Sequence, residues 1–566
     1  MICTIIIWCI VAVCAASIGR FILKLLGAEL AFDNGIDRTV IAVWIGLGST
    51  AVFCEMVALF TAVTPATGVV VLVAGAMLNG RWRRCPEFPK VSVWTAGLCT
   101  VIVLGFAWHA STVTIDAYDT GLYHQQAVSW ISQYGFVRGL AWLHFRLGFT
   151  SSWFALAAVF NHGVLAGRVS PLSDGFVTTV CLLHWILTID RVISRRARLA
   201  DWYLLFAYSP LIGAAWVWHY DVSLSPDLPA WVITVLTVWV ALLLRSRNCA
   251  PRALCTPFLM AALGCSFKLS LLPLLPLAFI FPAFAGDTFS LRRLNVKVAA
   301  ICCLPLLIMA MANVITSGCP LYPSPAGCIG TRWAVPATFA QFVMTDTRDF
   351  ARKSDFGVRG SKTGIAWLRS WAYRRDKLVL LLLAVAGGVS LLVIGVGDRS
   401  RFHLWVLGTG VSGLALMFWS APNPRFALGF FILLPATALA SMLGEGKPGV
   451  PVIRVPTLSC LVVVLLVVVL ANDAKTRGAS LYAARLNFLL PEQIASTEGV
   501  PIHIFNRTGD RWTQLRARVQ TNRNVRFLSP VSSEQCWNLP LPCTPTLIDP
   551  AFQLSPNGLA GGFEKR

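Results

Sequence analysis

About fourteen apolar stretches recur along the chain between short polar loops, and most are long enough to cross a ~30 Å hydrocarbon core as a helix. They occupy residues 2–19, 39–62, 66–79, 92–110, 171–193, 201–218, 229–244, 253–266, 270–286, 298–316, 377–396, 402–419, 427–443 and 452–471. That spacing points to an all-α polytopic membrane protein with about 12–14 transmembrane helices, the lower figure allowing for two short runs. Composition agrees: 56% of residues are hydrophobic and 13% charged, with 21 Trp and 33 Phe, more apolar surface than a soluble fold could cover. No small-residue cleavage site follows residues 2–19, which therefore read as an uncleaved first span.

The formal net charge of +21 does not point to nucleic acid, because the basic residues form short clusters between apolar runs rather than one face. They read as topology determinants facing the cytoplasm: Arg20 with Lys24, then the runs beginning at Arg81, Arg191, Arg245, Arg292 and Asp398, and Lys447. All fall on one side only if residues 151–166 do not cross, so that segment is expected to be re-entrant or interfacial. Every unusual polar stretch then shares the outer face: 111–150, 219–228, Lys268, 317–375, the turn ending at Arg425 and the tail 472–566.

The stretch from Thr114 to Trp153 is the densest of these, with two carboxylates, two histidines, two arginines and several aromatics. Asp119 stands where an N-cap would start a helix from Thr120 to Tyr134 that Gly135 closes, so capping is its plain explanation. Capping does not account for Asp116, His124, His144 and Arg146 in the same loop. In the turn 219–228, Pro226 and Pro229 initiate a helix, and Asp227 is either a cap or a substrate-facing carboxylate. Lys268 sits between two apolar runs, where an ammonium must snorkel or meet an anion. Arg425 is a planar fork suited to phosphate, or an interfacial anchor.

Residues 317–375 carry Trp333, Trp367, Trp371 and Arg374 in a mixed pattern that fits helices lying on the membrane, with the tryptophans as an interfacial belt. Most of the 17 cysteines lie in apolar runs as small hydrophobes. Two pairs differ: Cys319 with Cys328 flanks a Pro-rich loop, and Cys536 with Cys543 brackets WNLPLP; both read as disulfide candidates on an oxidising face. The expected organisation is helices over 1–110, an outer loop over 111–170 and helices over 171–316. A second outer loop over 317–376, helices over 377–471 and a small extramembrane domain over 472–566, fraying at GLAGGFEKR, complete it.

The strings YDTGLYH (118–124), LHFRLGFTSSWF (143–154), SPDLP (225–229), FKLSLLP (267–273), CPLYPSP (319–325), APNPRF (421–426) and CWNLPLPCTP (536–545) resemble those of an uncharacterised family of bacterial inner-membrane proteins. That family in turn resembles the GT-C integral-membrane glycosyltransferases. The resemblance implies a GT-C-like bundle in the inner membrane, with an acidic motif in an outer loop at a reaction centre facing the periplasm. It also implies a sugar donor on a polyprenyl-phosphate carrier and a glycan, lipid or protein acceptor of the cell envelope.

Such a donor needs cations at the membrane surface, for which Arg146, Lys268 and Arg425 are candidates. A carboxylate must take the acceptor's proton or hold a divalent ion such as Mg or Mn; Asp119 is the first candidate and Asp116 the second, with His124 or His144 assisting. Tyr118, Tyr123, Trp142 and Trp153 offer stacking faces for sugar rings, and Asp227 completes the set of substrate-facing groups. A polysaccharide polymerase or ligase, a lipid-linked glycan flippase and a non-catalytic assembly protein remain open. No internal repeat supports a transporter, and no Gly-rich phosphate loop supports nucleotide chemistry.

Overall fold

The computed structural model describes residues 1–32, 34–80, 91–245, 251–284, 296–352, 367–368, 371, 375–397, 401–443, 489–490, 517–522, 525–530, 534–545 and 552–565. The last apolar run, 452–471, lies outside the described residues, as do Arg374, Lys447 and most of the basic segments from Arg81, Arg292 and Asp398.

Among the described residues, nine helical segments are long and apolar enough to cross a membrane. They are α1 (Ile2–Leu25), α2 (Gly35–Ala58), α4 (Val93–Thr112), α8 (Asp174–Ile193), α10 (Asp227–Arg245), α13 (Val296–Ser317), α15 (Arg375–Gly397), α16 (Arg401–Ser420) and α17 (Leu428–Leu443), the last extended by the turn Pro424–Ala427. Shorter or more polar helices pack among them: α3 (Pro65–Gly80), α9 (Leu199–Val217), α11 (Thr256–Phe267) and α12 (Leu274–Phe284). The chain is a polytopic helical membrane protein, as the hydropathy pattern requires.

Without water to drive helices together, close approach comes from small side chains. A Cβ on Gly46 would lie 1.8 Å from the Ala15 carbonyl oxygen, and one on Gly19 1.8 Å from that of Ala42, so α1 and α2 touch backbone to backbone. At the centre is α10, buried at every position from Asp227 to Leu244 and flanked by α9, α11 and α17. Its amino-terminal end is where the segments carrying Asp119, Lys268 and Arg425 gather.

Two polar clusters mark the ends of the bundle. Asp174 at the start of α8 accepts hydrogen bonds from Trp153 (2.9 Å) and Ser223 (2.6 Å). Arg191, about 26 Å further along the same helix at 1.5 Å per residue, pairs with Asp37 (2.8 Å) and Asp201 (2.7 Å). Arg198 closes this far network onto the same two carboxylates at 2.7 and 2.9 Å, tying α2, α8 and α9 together.

The segment after Thr150 does not cross. Ser151 caps α7 (Ser152–Ala158), a seven-residue helix about 10 Å long and wholly buried at the end of the bundle that carries Asp174. α14 (Ala337–Arg352) is the expected amphipathic helix, burying Ala340, Val343 and Ala351 while Phe342 and Phe350 face outward. Trp367 and Trp371 are not a belt: both are buried, and the Trp371 indole donates to the Pro422 carbonyl. Trp333 likewise donates to the Val314 carbonyl, 3.1 Å away. The segment GLAGGFEKR does not fray either. A helical turn, α18 (Gly558–Gly561), leads into β4 (Phe563–Lys565), which pairs antiparallel with β3 (Phe552–Leu554), and the Phe563 amide donates to the Arg138 carbonyl at 2.8 Å. A second hairpin joins β1 (Ala517–Asn522) to β2 (Val525–Pro530).

Removing Arg191 leaves the buried Asp37 and Asp201 to share Arg198 alone, two carboxylates against one cation, a loss of about 1–3 kcal/mol. Arg191→Met is expected to lower the thermal unfolding midpoint in detergent well below that of the wild type; an unchanged midpoint would show that this network does not brace the bundle.

Candidate active site

Asp119 stands at the start of the turn Thr120–His124, which has π-type geometry and runs into α5 (Gln125–Tyr134), with Gly135 ending the helix at φ +77°. The capping explanation fails here. The Asp119 side chain makes no hydrogen bond to the helix amides; it accepts one from Arg425 Nη2. Arg425 is held for this role. Asn423 Oδ1 accepts from its amide (3.2 Å), the Trp231 indole donates to its carbonyl (2.6 Å), and its own Nη1 donates to the Tyr220 hydroxyl at 2.8 Å.

Arg425 Nε also lies 3.5 Å from Asp227 Oδ2, and Lys268 Nζ donates to Asp227 Oδ1. Asp227 opens α10, where the helix dipole favours an anion, and its amide is capped by the Ser225 hydroxyl (3.3 Å) rather than by its own side chain. Lys268 does not snorkel: it sits in an extended break between α11 and the turn Leu269–Leu271, with its ammonium also 4.5 Å from the Phe426 ring centre. Arg146 stands at the rim, 3.8 Å from Asp119 Oδ1 and over the rings of Tyr123 and Phe145.

Three cations thus share two carboxylates, a formal excess of one positive charge. Exposure is divided by sign. The side chains of Arg146, Arg425 and Lys268 are 27, 25 and 21% exposed, those of Asp119 and Asp227 8 and 2%. An approaching anion meets the cations first. Burial alone would raise the Asp119 pKa, but Arg425, His124 and Arg146 outweigh it and hold the carboxyl well below the usual carboxylate range.

His124 is buried beside this cluster, its ring edge-on to Tyr123 and 5.1 Å from Phe154, with no partner for Nδ1. Burial pushes its pKa down to about 3 against the opposing pull of Asp119 and Asp227, so it is neutral. His144, against the Phe145 ring, is lowered to about 3 by burial and by Arg146. Tyr118 points outward, donating to Glu534 (3.0 Å); burial and Glu534 raise its pKa to about 12.

Other candidates go elsewhere. Asp116 turns to His219, whose Nδ1 lies 2.8 Å from both carboxylate oxygens. The two carboxylates considered for a divalent ion therefore have different partners, and among the described residues no group of three or more His, Cys, Asp or Glu converges. Trp142 and Trp153 are each 1% exposed and donate to the Trp333 carbonyl and to Asp174, leaving no face for a sugar ring.

Four residues escape sequence reasoning. Tyr220, in the flagged turn, looks like any interfacial aromatic. Asp174 reads as the first residue of a span, and Ser223 and Ser225 read as loop polarity. In the fold Ser223 donates to Asp174 and Ser225 to Asp227 (3.1 Å), with the Ser225 amide donating to Ser223 Oγ (3.0 Å), so a buried polar chain backs the site. The two cysteine pairs are disulfides, Cys319–Cys328 and Cys536–Cys543.

Fold and site together define a polytopic membrane protein with a cation-rich mouth at one end of its bundle. The chain belongs to the family described as a domain of unknown function, DUF8201, whose model matches residues 1–432. No curated protein matches it. Among solved structures, the single-particle cryo-EM structure of the arabinosyltransferase EmbB from Mycobacterium smegmatis is similar at 11% identity and a TM-score of 0.34. The match covers 75% of this chain and 42% of that one, so the chain spans less than half the length of the structure it matches. At that score the likeness defines neither fold nor activity.

His124 and His144 are neutral when folded, whereas the unfolded chain takes protons near pH 6.5, so their contribution is full above that pH. It is lost as pH falls from about 6.5 toward about 3, by at most about 1.4 kcal/mol per pH unit for each histidine. Thermal midpoints measured between about pH 7 and pH 5 should fall less in a His124→Gln/His144→Gln variant than in the wild type; equal slopes would contradict the assignment.

Proposed function

We propose that this protein is an integral-membrane glycosyltransferase of GT-C type, moving a sugar from a polyprenyl-phosphate donor to a glycan, lipid or protein acceptor of the bacterial cell envelope. The single observation that carries the reading is that Asp119, Asp227, Lys268 and Arg425, drawn from four separate stretches of chain, meet at one end of the central helix. The resemblance of the YDTGLYH and APNPRF strings supports it. The site end is taken as the outer, periplasmic face of the inner membrane, because Arg20, Lys24 and the Arg191–Arg198 cluster occupy the opposite end, where the positive-inside rule places the cytoplasm.

The chemistry follows from the charges. A phosphodiester at the mouth meets Arg146 and Arg425, whose planar forks suit phosphate oxygens, and Lys268 as a point charge. Taking Arg425 loosens its hold on Asp119, and that carboxylate then becomes more basic in a buried setting. The acceptor hydroxyl gives its proton to Asp119 while its oxygen bonds to the sugar's anomeric carbon. The bond from that carbon to the phosphate oxygen breaks, and polyprenyl phosphate leaves with the electron pair, its charge held by the three cations. Asp227 keeps Lys268 and Arg425 in place through the step. Neutral His124 lies beside Asp119 with no hydrogen-bond partner for its Nδ1. Tyr123, beneath Arg146, is the remaining aromatic face near the reacting carboxylate.

Envelope glycans compared between a deletion strain and the same strain carrying wild type, Asp119→Asn or Asp116→Asn test this. The deletion should lose a glycan component that wild type and Asp116→Asn restore, while Asp119→Asn lowers the transfer rate by about 10²–10⁴-fold. An unchanged profile in the deletion strain, or full restoration by Asp119→Asn, would refute it.

A further inference from the structure

The turn that carries Asp119 is not held by its own helix alone. In the π geometry the Gln125 amide reaches back to the Thr120 carbonyl, and the Gly121 carbonyl accepts from the Trp537 amide at 2.8 Å, more than four hundred positions further on. π-turns are rare and concentrate at functional sites, where outside contacts select them. Here those contacts come from residues 534–544, closed into a loop by the Cys536–Cys543 disulfide.

Bonds from this loop bracket Asp119 on both sides. Before it, the Tyr118 hydroxyl donates to Glu534 and the Gln535 amide side chain donates to the Tyr118 carbonyl (2.9 Å). After it, Gln126 Nε2 donates to the carbonyls of Trp537 (3.0 Å) and Leu539 (2.9 Å), and Gln125 Nε2 to Asn538 (3.1 Å). The Trp537 indole lies flat on Gly121: a Cβ there would meet ring atoms at 2.4–2.7 Å, so only glycine admits the ring. Thr544 anchors the far end, donating to the Leu143 carbonyl at 3.1 Å. The family match ends at residue 432, so Asp119, Asp227, Lys268 and Arg425 lie inside it and this loop outside.

We infer that the disulfide-closed loop 534–544 is a positioning strap for Asp119, with Trp537 and Gln126 as positioning residues that fix the π-turn and aim the carboxylate at Arg425. The inference rests on the reading of Asp119 as the reacting base. Without the strap the turn relaxes, the Asp119–Arg425 pair loosens, and Arg425 becomes freer to hold phosphate while transfer slows. A merely structural tail would weaken both together.

The test uses the full-length protein with the Cys536→Ser/Cys543→Ser pair, with Gly121→Ala, and with Trp537→Phe beside Trp537→Ala. Hydrogen exchange should rise by about 10-fold or more over residues 117–126 in the first two variants and not over 228–244. Binding of a polyprenyl phosphate in nanodiscs should be retained or tighten, glycan restored in the deletion strain should fall by about 10- to 100-fold, and Trp537→Phe should recover more than Trp537→Ala. Gly121→Ala, which adds one methyl group, decides the matter should the cysteine variant misfold. Unchanged exchange over 117–126, or phosphate binding lost in step with glycan, would overturn the strap. If wild type restores no glycan, the functional reading falls, and the exchange measurement alone judges the strap.

Discussion

One guanidinium holds the site end of this bundle together. Arg425 reaches Asp119 across 306 positions of sequence, touches Asp227 at the head of the central helix and is steadied by Tyr220 and Trp231. A partly buried arginine between two buried carboxylates is stable only when the charges stay paired, because removing one partner leaves the others charged and uncompensated. The loops that carry these residues are therefore not free connectors. Their paths are dictated by the need to bring opposite charges to one point at the edge of an apolar bundle.

From that constraint the rest follows in order. The carboxylates are deep and the cations shallow, so the resting site is nearly neutral inside and positive at its lip. A group with this profile attracts an anion and can surrender Arg425 to it, because Lys268 still covers Asp227. Behind the lip, the chain Asp174–Ser223–Ser225–Asp227 replaces water with fixed dipoles, and the buried α7 joins it through the Trp153 indole, which donates to Asp174. At the opposite end, Asp37, Asp201, Arg191 and Arg198 form a charge-balanced network, two carboxylates with two guanidiniums, which reads as bracing rather than chemistry.

Much of this was legible in the chain. Helical spans announce themselves through length and hydropathy, and the Lys/Arg clusters led to the expectation that residues 151–166 do not cross, a stretch whose helix, Ser152–Ala158, is only seven residues long. Asp119, Lys268 and Arg425 stood out because ionised groups beside apolar runs need partners. Which partners could not be read. Asp116 and Asp119 look alike in sequence, yet the turn between them sends one to His219 and the other to Arg425. Trp142 and Trp153 looked available because an aromatic's burial depends on long-range packing, not on its neighbours in the chain. The tail's fall in hydrophobicity suggested a small outer domain but gave no sign of the hydrogen bonds that its described parts make to residues 118–143. Pairing across hundreds of residues leaves no local periodicity to detect.

The most direct measurement compares binding of a polyprenyl phosphate with that of the matching neutral polyprenol, to the purified protein in nanodiscs, for wild type and Arg425→Gln. A phosphate-handling mouth predicts saturable binding that prefers the phosphate by at least about 10-fold and loses that preference in the variant, the loss of one charge-assisted bidentate contact. Equal affinity for the two lipids in the wild type, or a preference untouched by Arg425→Gln, would contradict it.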